Sequence, residues 1–312
     1  MLWLSAIISA YFLLAVCALI DKYLLTGSIP HPRVYAFYVG ILGVFVLLLV
    51  PFIDFYIPET NQILLSFFTG AVFVLALFWL YKSLHLFEAS RVMPIIGGLS
   101  PIFVVLLIYI FSSGQEILSP SKIIAFIFLV LGSILITFRK EMSITFKVLK
   151  YSVFTAFLFS LVIVLTKYVY LSQTFWNGYI WIKIGGVFAA FAFLLISPEL
   201  KKKIFKPRSS MISFFSTLGF KIKTTGIFLF NKGIGALANI LQNWAIALAP
   251  LGYVAIVNAL QGIQYVFLLI IAVLICFKFP KILKEEISKT IIFQKTVAIL
   301  LIGVGLIILF LV

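Results

Sequence analysis

Apolar residues run along this chain in long blocks separated by short polar joints, and block length is the first informative quantity. A bilayer core of about 30 Å needs about 20 apolar residues in helical form. Ten blocks approach that length: 3–25, 33–54, 62–84, 90–112, 121–139, 150–172, 176–197, 224–248, 252–277 and 291–312. The joints between them carry turn-forming and charged residues, among them TGSIPHPR, IPETNQ, SSGQEILSPSK and LSQTFWNG. Backbone groups in lipid must bond within their own segment, so each block is expected to be a transmembrane helix. Membrane strands would read as alternating segments of about ten residues, which this sequence lacks.

Composition agrees with this reading. The chain is 64% hydrophobic and 11% charged, too few charges to cover the surface of a soluble domain of 312 residues. The formal charge of +15 does not point to nucleic acid, because the basic residues sit in joints and form no face interleaved with aromatics. Anionic lipid headgroups are the expected partner of that charge. The N-terminal run MLWLSAIISAYFLLAVCALI lacks a basic leader and a small-residue cleavage site, and reads as a retained first helix. Cys17 and Cys276 both fall inside apolar blocks, which leaves neither a disulfide framework nor a metal site.

The distribution of Lys and Arg predicts orientation. Of 24 such residues, all but Lys122, Lys167, Lys183 and Lys232 lie in or beside the joints after blocks 1, 3, 5, 7 and 9. The positive-inside rule makes those joints cytoplasmic and puts both termini outside a multi-pass protein of the cell membrane. The stretch 199–223, with seven basic residues against one acid, is the most basic of these joints and is expected to lie on the lipids of the inner leaflet.

An internal repeat underlies the pattern. Aligning residue n with n+162 pairs Leu86 with Leu248, Val92 with Val254 and Phe103 with Tyr265. At an offset of 173, Lys122, Ala125 and Gly132 meet Lys295, Ala298 and Gly305. The joint after block 4 holds only Lys122, whereas its repeat partner after block 9 holds Lys278, Lys281, Lys284, Lys289 and Lys295. An odd number of helices per half inverts the second half and exchanges the basic side. The expected architecture is all-α and integral to the membrane. Ten helices form two inverted five-helix repeats, residues 1–148 and 149–312.

The segments ASRVMPIIGGLSPIF (89–103), GQEILSPSKIIAFIFLVLGSILITF (114–138) and ALAPLGYVAIVNALQGIQYVF, running on from Ala247, carry a resemblance. Across essentially the whole chain the sequence resembles the drug/metabolite transporter superfamily, and within it the EamA-type ten-helix carriers. Pro101, Gly114, Glu116 and Gly132 look like that family's mid-helix Pro, Gly-Glu turn and fifth-helix Gly. The second copy departs from the pattern, with Ile263 in place of the Pro and Lys278 in place of Glu116. The resemblance implies a secondary transporter that moves a small polar metabolite by alternating access, with export the more frequent direction and no cofactor. The alternatives are a flippase for a lipid carrier and a non-transporting membrane assembly partner.

Candidate chemistry follows from polar residues inside the blocks. All nine acidic residues lie at block ends or in joints, so no carboxylate is available to exchange a proton for a cationic drug. Lys183 and Lys232 lie several residues inside the hydrocarbon, where a Lys costs about 2.5–3.5 kcal/mol. Each either faces a cavity, with an anionic solute as counter-ion, or snorkels to the nearer surface. Asn239, Asn243, Asn258 and Gln261, with Trp244 and Tyr265, complete the candidate substrate-binding set. Asn258, Gln261 and Tyr265 fall at i, i+3 and i+7, on one face of a single helix. Their alternative role is interhelical hydrogen bonding. Pro94, Gly97, Gly98 and Pro101 are candidate gate or hinge positions, or else residues that permit close packing. Paired carboxylates, a metal cluster and an activated nucleophile are all missing from the sequence, so no catalytic residue is assigned and an enzyme is not expected. No residue is assigned to a coupling ion.

Overall fold

A computed structural model describes residues 2–24, 32–87, 89–115, 119–137, 145–204, 222–278 and 289–311. Among them every regular element is helical. The helices are α1 (Leu2–Leu24), α2 (Pro32–Leu42), α3 (Thr60–Leu86), α4 (Ala89–Phe111), α5 (Pro120–Thr137) and α6 (Phe146–Ser172). They continue with α7 (Phe175–Ile196), α8 (Pro198–Ile204), α9 (Ile222–Leu248), α10 (Val254–Ala259), α11 (Gln261–Lys278) and α12 (Lys289–Leu311). Seven spans are long and apolar enough to cross a bilayer: Leu2–Ile20, Pro32–Phe52, Thr60–Leu86, Phe146–Ser172, Phe175–Ile196, Leu251–Ile271 and Phe293–Leu311. Ile95–Phe111 and Pro120–Ile136 are shorter apolar helices. The chain is therefore an all-α, multi-pass membrane protein by length and apolar character.

Two expected helices take a different form. Block 33–54 begins as α2 and continues from Gly43 to Phe52 as a 3₁₀ helix. The tighter winding rises about 2.0 Å per residue, so the ten 3₁₀ residues cover about 20 Å. Added to the α-helical part, at about 1.5 Å per residue, they bring the element to the length of a bilayer core. Block 252–277 is divided: a 3₁₀ turn (Leu251–Tyr253) leads into the six-residue α10, and the chain breaks at Leu260 before α11. Ile263 N–H donates to Leu260 O at 2.9 Å, which takes it away from the Ala259 carbonyl.

The joints gather at two ends. Trp3 packs edge-on against Tyr253, and the Lys122 ammonium lies over the same Tyr253 ring, so the start of α1, the start of α5 and the α9–α10 joint share one end. The α6–α7 joint belongs to that end too, since Tyr170 and Lys167 bond to Asn243 and Ala247 near the close of α9. It is tied in turn to the segment before α3, because Asn177 Oδ1 accepts from Tyr56 N–H. At the opposite end Arg33 pairs with Glu199, Phe78 meets Phe193, and Trp79 packs on Tyr151.

Small residues set the closest approaches. A Cβ on Gly70 would collide with Gly186 N and Ile182 O, and one on Gly185 with the Phe67 backbone, so the α3 and α7 backbones touch. α5 and α12 cross with unusual reciprocity. A Cβ on Gly132 would lie 3.0 Å from Ala298 O and 2.6 Å from the Ile302 side chain. One on Gly305 would lie 3.0 Å from Ala125 O and 2.9 Å from the Leu129 side chain. Elsewhere α1 packs on α9 and α11, while α6 packs on α3 and α4. The largest apolar core joins α1, α5, α10, α11 and α12 through Ile7, Tyr11, Leu129, Leu260 and Ile302.

Candidate functional site

The inward stripe of α7 carries the cation. Tyr179, Gly186 and Ala190 are buried, and Lys183 shares their face because residues three, four and seven apart line up on a helix. Phe188, Phe191 and Leu195 are exposed on the other side. Lys183 therefore points into the molecule, half-buried, and not along the lipid-facing surface. On α9, Lys232, Asn239 and Asn243 form a matching stripe at i, i+7 and i+11.

The two stripes meet in one hydrogen-bonded cluster. Lys183 Nζ donates to Asn239 Oδ1 at 2.9 Å, and the Tyr179 hydroxyl donates to the same oxygen at 3.0 Å. Asn243 Nδ2 donates to Asn239 O at 2.8 Å, and the Tyr170 hydroxyl of α6 donates to Asn243 Oδ1 at 3.0 Å. The ammonium lies 5.3 Å from the Phe73 ring centroid and 5.1 Å from that of Tyr179. These are cation–π distances. Phe175 stacks on Tyr179 at 5.9 Å and extends the aromatic wall to Tyr170. Amides and aromatic faces thus hold a cation, and among the described residues no carboxylate lies within bonding distance of it. Among the described residues Arg33–Glu199 is the one ion pair, and it lies at the far end of α2.

The remaining candidates fall elsewhere. Trp244 is 43% exposed, on the face of α9 that bears Leu237 and Leu248, and borders a shallow depression with Leu2, Ser5 and Ser9 of α1. It turns away from the Lys183 cluster. Asn258 is 6% exposed and donates to Ser100 Oγ at 3.0 Å, itself 3.0 Å from Ser160 Oγ. That buried triangle ties α10 to α4 and α6, as interhelical hydrogen bonding requires. The break at Leu260 removes the premise that Asn258, Gln261 and Tyr265 share one uninterrupted helical face. Gln261 is half-buried at the start of α11. The Tyr265 hydroxyl is buried without a hydrogen-bond partner among the described residues and points toward Gly97. Lys232 is half-buried, two helical turns along α9 from Asn239.

The candidate hinge takes another form. α4 runs unbroken from Ala89 to Phe111, through Pro94 and Pro101. Gly98 admits the Ile134 side chain of α5, which a Cβ would meet at 2.6 Å. The interruption occurs in the second half, at Leu260, 162 residues beyond Gly98. Two hydroxyls reach its freed carbonyls: Tyr11 OH donates to Val257 O at 3.0 Å, and Ser133 Oγ shares its one proton between Leu129 O at 2.8 Å and Ala259 O at 3.3 Å. A broken helix can persist in lipid when neighbouring side chains supply the missing bonds.

Several polar residues escaped the sequence reading. Tyr170, Tyr179 and Phe73 complete the Lys183 cluster, and Tyr179 was detectable at i−4 from Lys183. Gln173 Nε2 donates to Ser66 Oγ at 3.0 Å and to Gln62 O at 3.2 Å, and Asn177 Nδ2 donates to Gln173 Oε1 at 3.2 Å. This buried stitch closes the α3–α6–α7 end above the cluster. Lys167 is 3% exposed and donates to Ala247 O at 2.9 Å. A cation there suits the C-terminal carbonyls of α9. Among the described residues, no group of three His, Cys, Asp or Glu side chains is placed to hold a metal. The basic joint 199–223 lies mostly outside the described residues, although α8 opens it.

Comparison with known proteins bears on the fold alone. No protein-family profile matches the chain, and no curated protein matches it. Twenty-one solved chains resemble it in structure. One, described only as "Crystal structure of protein", superposes with a TM-score of 0.63 at 14% identity, covering 98% of this chain and 96% of that one.

Proposed function

We propose that this protein is a secondary transporter that moves a small polar metabolite across the membrane by alternating access between two inverted halves, residues 1–148 and 149–312. The halves are read as five spanning helices each, with α2 and its 3₁₀ extension counted as one span and α10 with α11 as another. Export is the direction that the resemblance to EamA-type carriers favours. With the basic joints cytoplasmic, both termini lie outside.

Two kinds of packing support the inverted repeat. Gly132 faces Ala298 and Ile302, while Gly305 faces Ala125 and Leu129. At the offset of 173 these contacts are the same contact exchanged, as in a two-fold, self-complementary interface. The packing of α1 on α9 and α11 likewise mirrors that of α6 on α3 and α4. Inverted-repeat carriers hold substrate near the midplane where the halves meet, and they use broken helices there.

The observation that carries the function is Lys183, a cation on an inward stripe with neutral partners. A carboxylate partner would make it a structural pair. An amide and two ring faces leave its charge available to a solute. Lys183, Asn239, Asn243, Tyr170 and Tyr179 are assigned to the site, and Lys232, two helical turns away along α9, is not. Metabolite profiling of cells with and without the protein identifies solutes whose distribution changes, and solute counterflow in proteoliposomes then tests them. Saturable exchange of at least one such solute is the expected result. A protein inert in counterflow toward all of them leaves the flippase and the assembly partner, and ends the carrier reading.

A further inference from the structure

The Lys183 cluster is specific enough in charge and hydrogen-bonding capacity to discriminate between classes of solute. We infer that it takes a monoanionic organic acid, a carboxylate on an apolar or aromatic body, in preference to a zwitterionic amino acid or a dianionic phosphate ester. This rests on the carrier reading and narrows its substrate.

Donors and acceptors decide between the acid and the zwitterion. An ammonium has three N–H donors, and Lys183 gives one to Asn239, so donors remain for an incoming carboxylate. The acceptors are neutral and largely engaged. Asn239 Oδ1 receives Lys183 and Tyr179, and Asn243 Oδ1 receives Tyr170. An amino acid's ammonium would find neutral acceptors with little capacity left and no carboxylate to pair with, because every acidic residue of the chain lies at a block end or in a joint. A buried cation without a partner is costly.

Charge count decides between the acid and the phosphate ester. One negative charge neutralises Lys183, and a second would need another cation nearby. Lys167 is held at Ala247 O, eight residues from Asn239 and about 12 Å along α9. Lys232 lies seven residues from Asn239, about 10 Å along the helix, which is beyond the span of a small carboxylate held at Lys183. Phe73, Tyr179 and Phe175 then offer their faces to the apolar body. Their rings also lower the local dielectric and strengthen the ion pair.

The test uses four ligands that share one ring: benzoate, benzamide, phenylglycine and phenyl phosphate at neutral pH. Each is titrated against the purified full-length protein, with binding read from thermal stability. Benzoate is expected to bind at least about tenfold more tightly than benzamide, the worth of a charge-assisted hydrogen bond. It should also outbind phenylglycine and phenyl phosphate. Lys183→Gln should abolish the benzoate advantage, Lys183→Arg should retain part of it, and Lys232→Gln should leave it intact. Tighter binding of phenyl phosphate with loss in Lys232→Gln, tighter binding of phenylglycine, or no benzoate response at all would overturn the inference. If Lys183→Gln does not fold, the ligand ranking and the Lys232→Gln result still decide. Counterflow of cellular solutes is measured separately, so a carrier that ignores benzoate sinks this inference and spares the carrier.

Discussion

At the scale of single residues, glycine marks where backbones meet. A Cβ at Gly70 would strike Gly186 N and Ile182 O, and backbone cannot swing aside as a side chain can. Gly303 has nothing within 4 Å of the same position. Gly70→Ala is therefore expected to destabilise by at least the roughly 1–3 kcal/mol of overpacking. Gly303→Ala should stabilise by up to about 1 kcal/mol through helix propensity. Thermal melting of the purified variants checks both, and equal shifts would contradict the packing described. The sequence made Lys183 visible as a cation in an apolar block but could not say where it pointed. A four-carbon stem can snorkel or turn inward, and only the acceptor on α9 and the ring on α3 decide. Trp244 sits apart from the Lys183 cluster because an aromatic one residue from Asn243 is about 100° away around a helix.

At the scale of elements, hydrophobic blocks located the helices well, because backbone in lipid has few other ways to satisfy its hydrogen bonds. Internal irregularities were illegible. The Pro residues marked α4 as a candidate hinge or a close-packed helix; α4 is continuous, and the interruption lies between α10 and α11, where there is no Pro. Its cause is tertiary: hydroxyls of α1 and α5 take the carbonyls that a regular helix would use. Tyr11→Phe and Ser133→Ala should each leave a carbonyl unsatisfied and raise amide hydrogen exchange across residues 256–264 relative to α6. Unchanged protection in both variants would mean that the break does not depend on these bonds. The 3₁₀ run Gly43–Phe52 was equally hidden, since its composition suits an α-helix just as well.

At the scale of the whole molecule, the proposed repeat rests on charge, a few identities and the reciprocal α5–α12 crossing. Sidedness is the part that charge alone assigns. A cysteine at residue 210, in the basic joint, should react with an impermeant thiol reagent only from the cytoplasmic face. Reaction from outside would reverse the orientation proposed here. If the protein is the carrier proposed above, Lys183 stands in an aqueous chamber that opens to each side in turn. Impermeant thiol labelling of Lys183→Cys, in a protein with Cys17 and Cys276 replaced, tests this directly. Reaction from both faces of the membrane is the predicted result, while inertness from either side would make this position packed interior and contradict the carrier account.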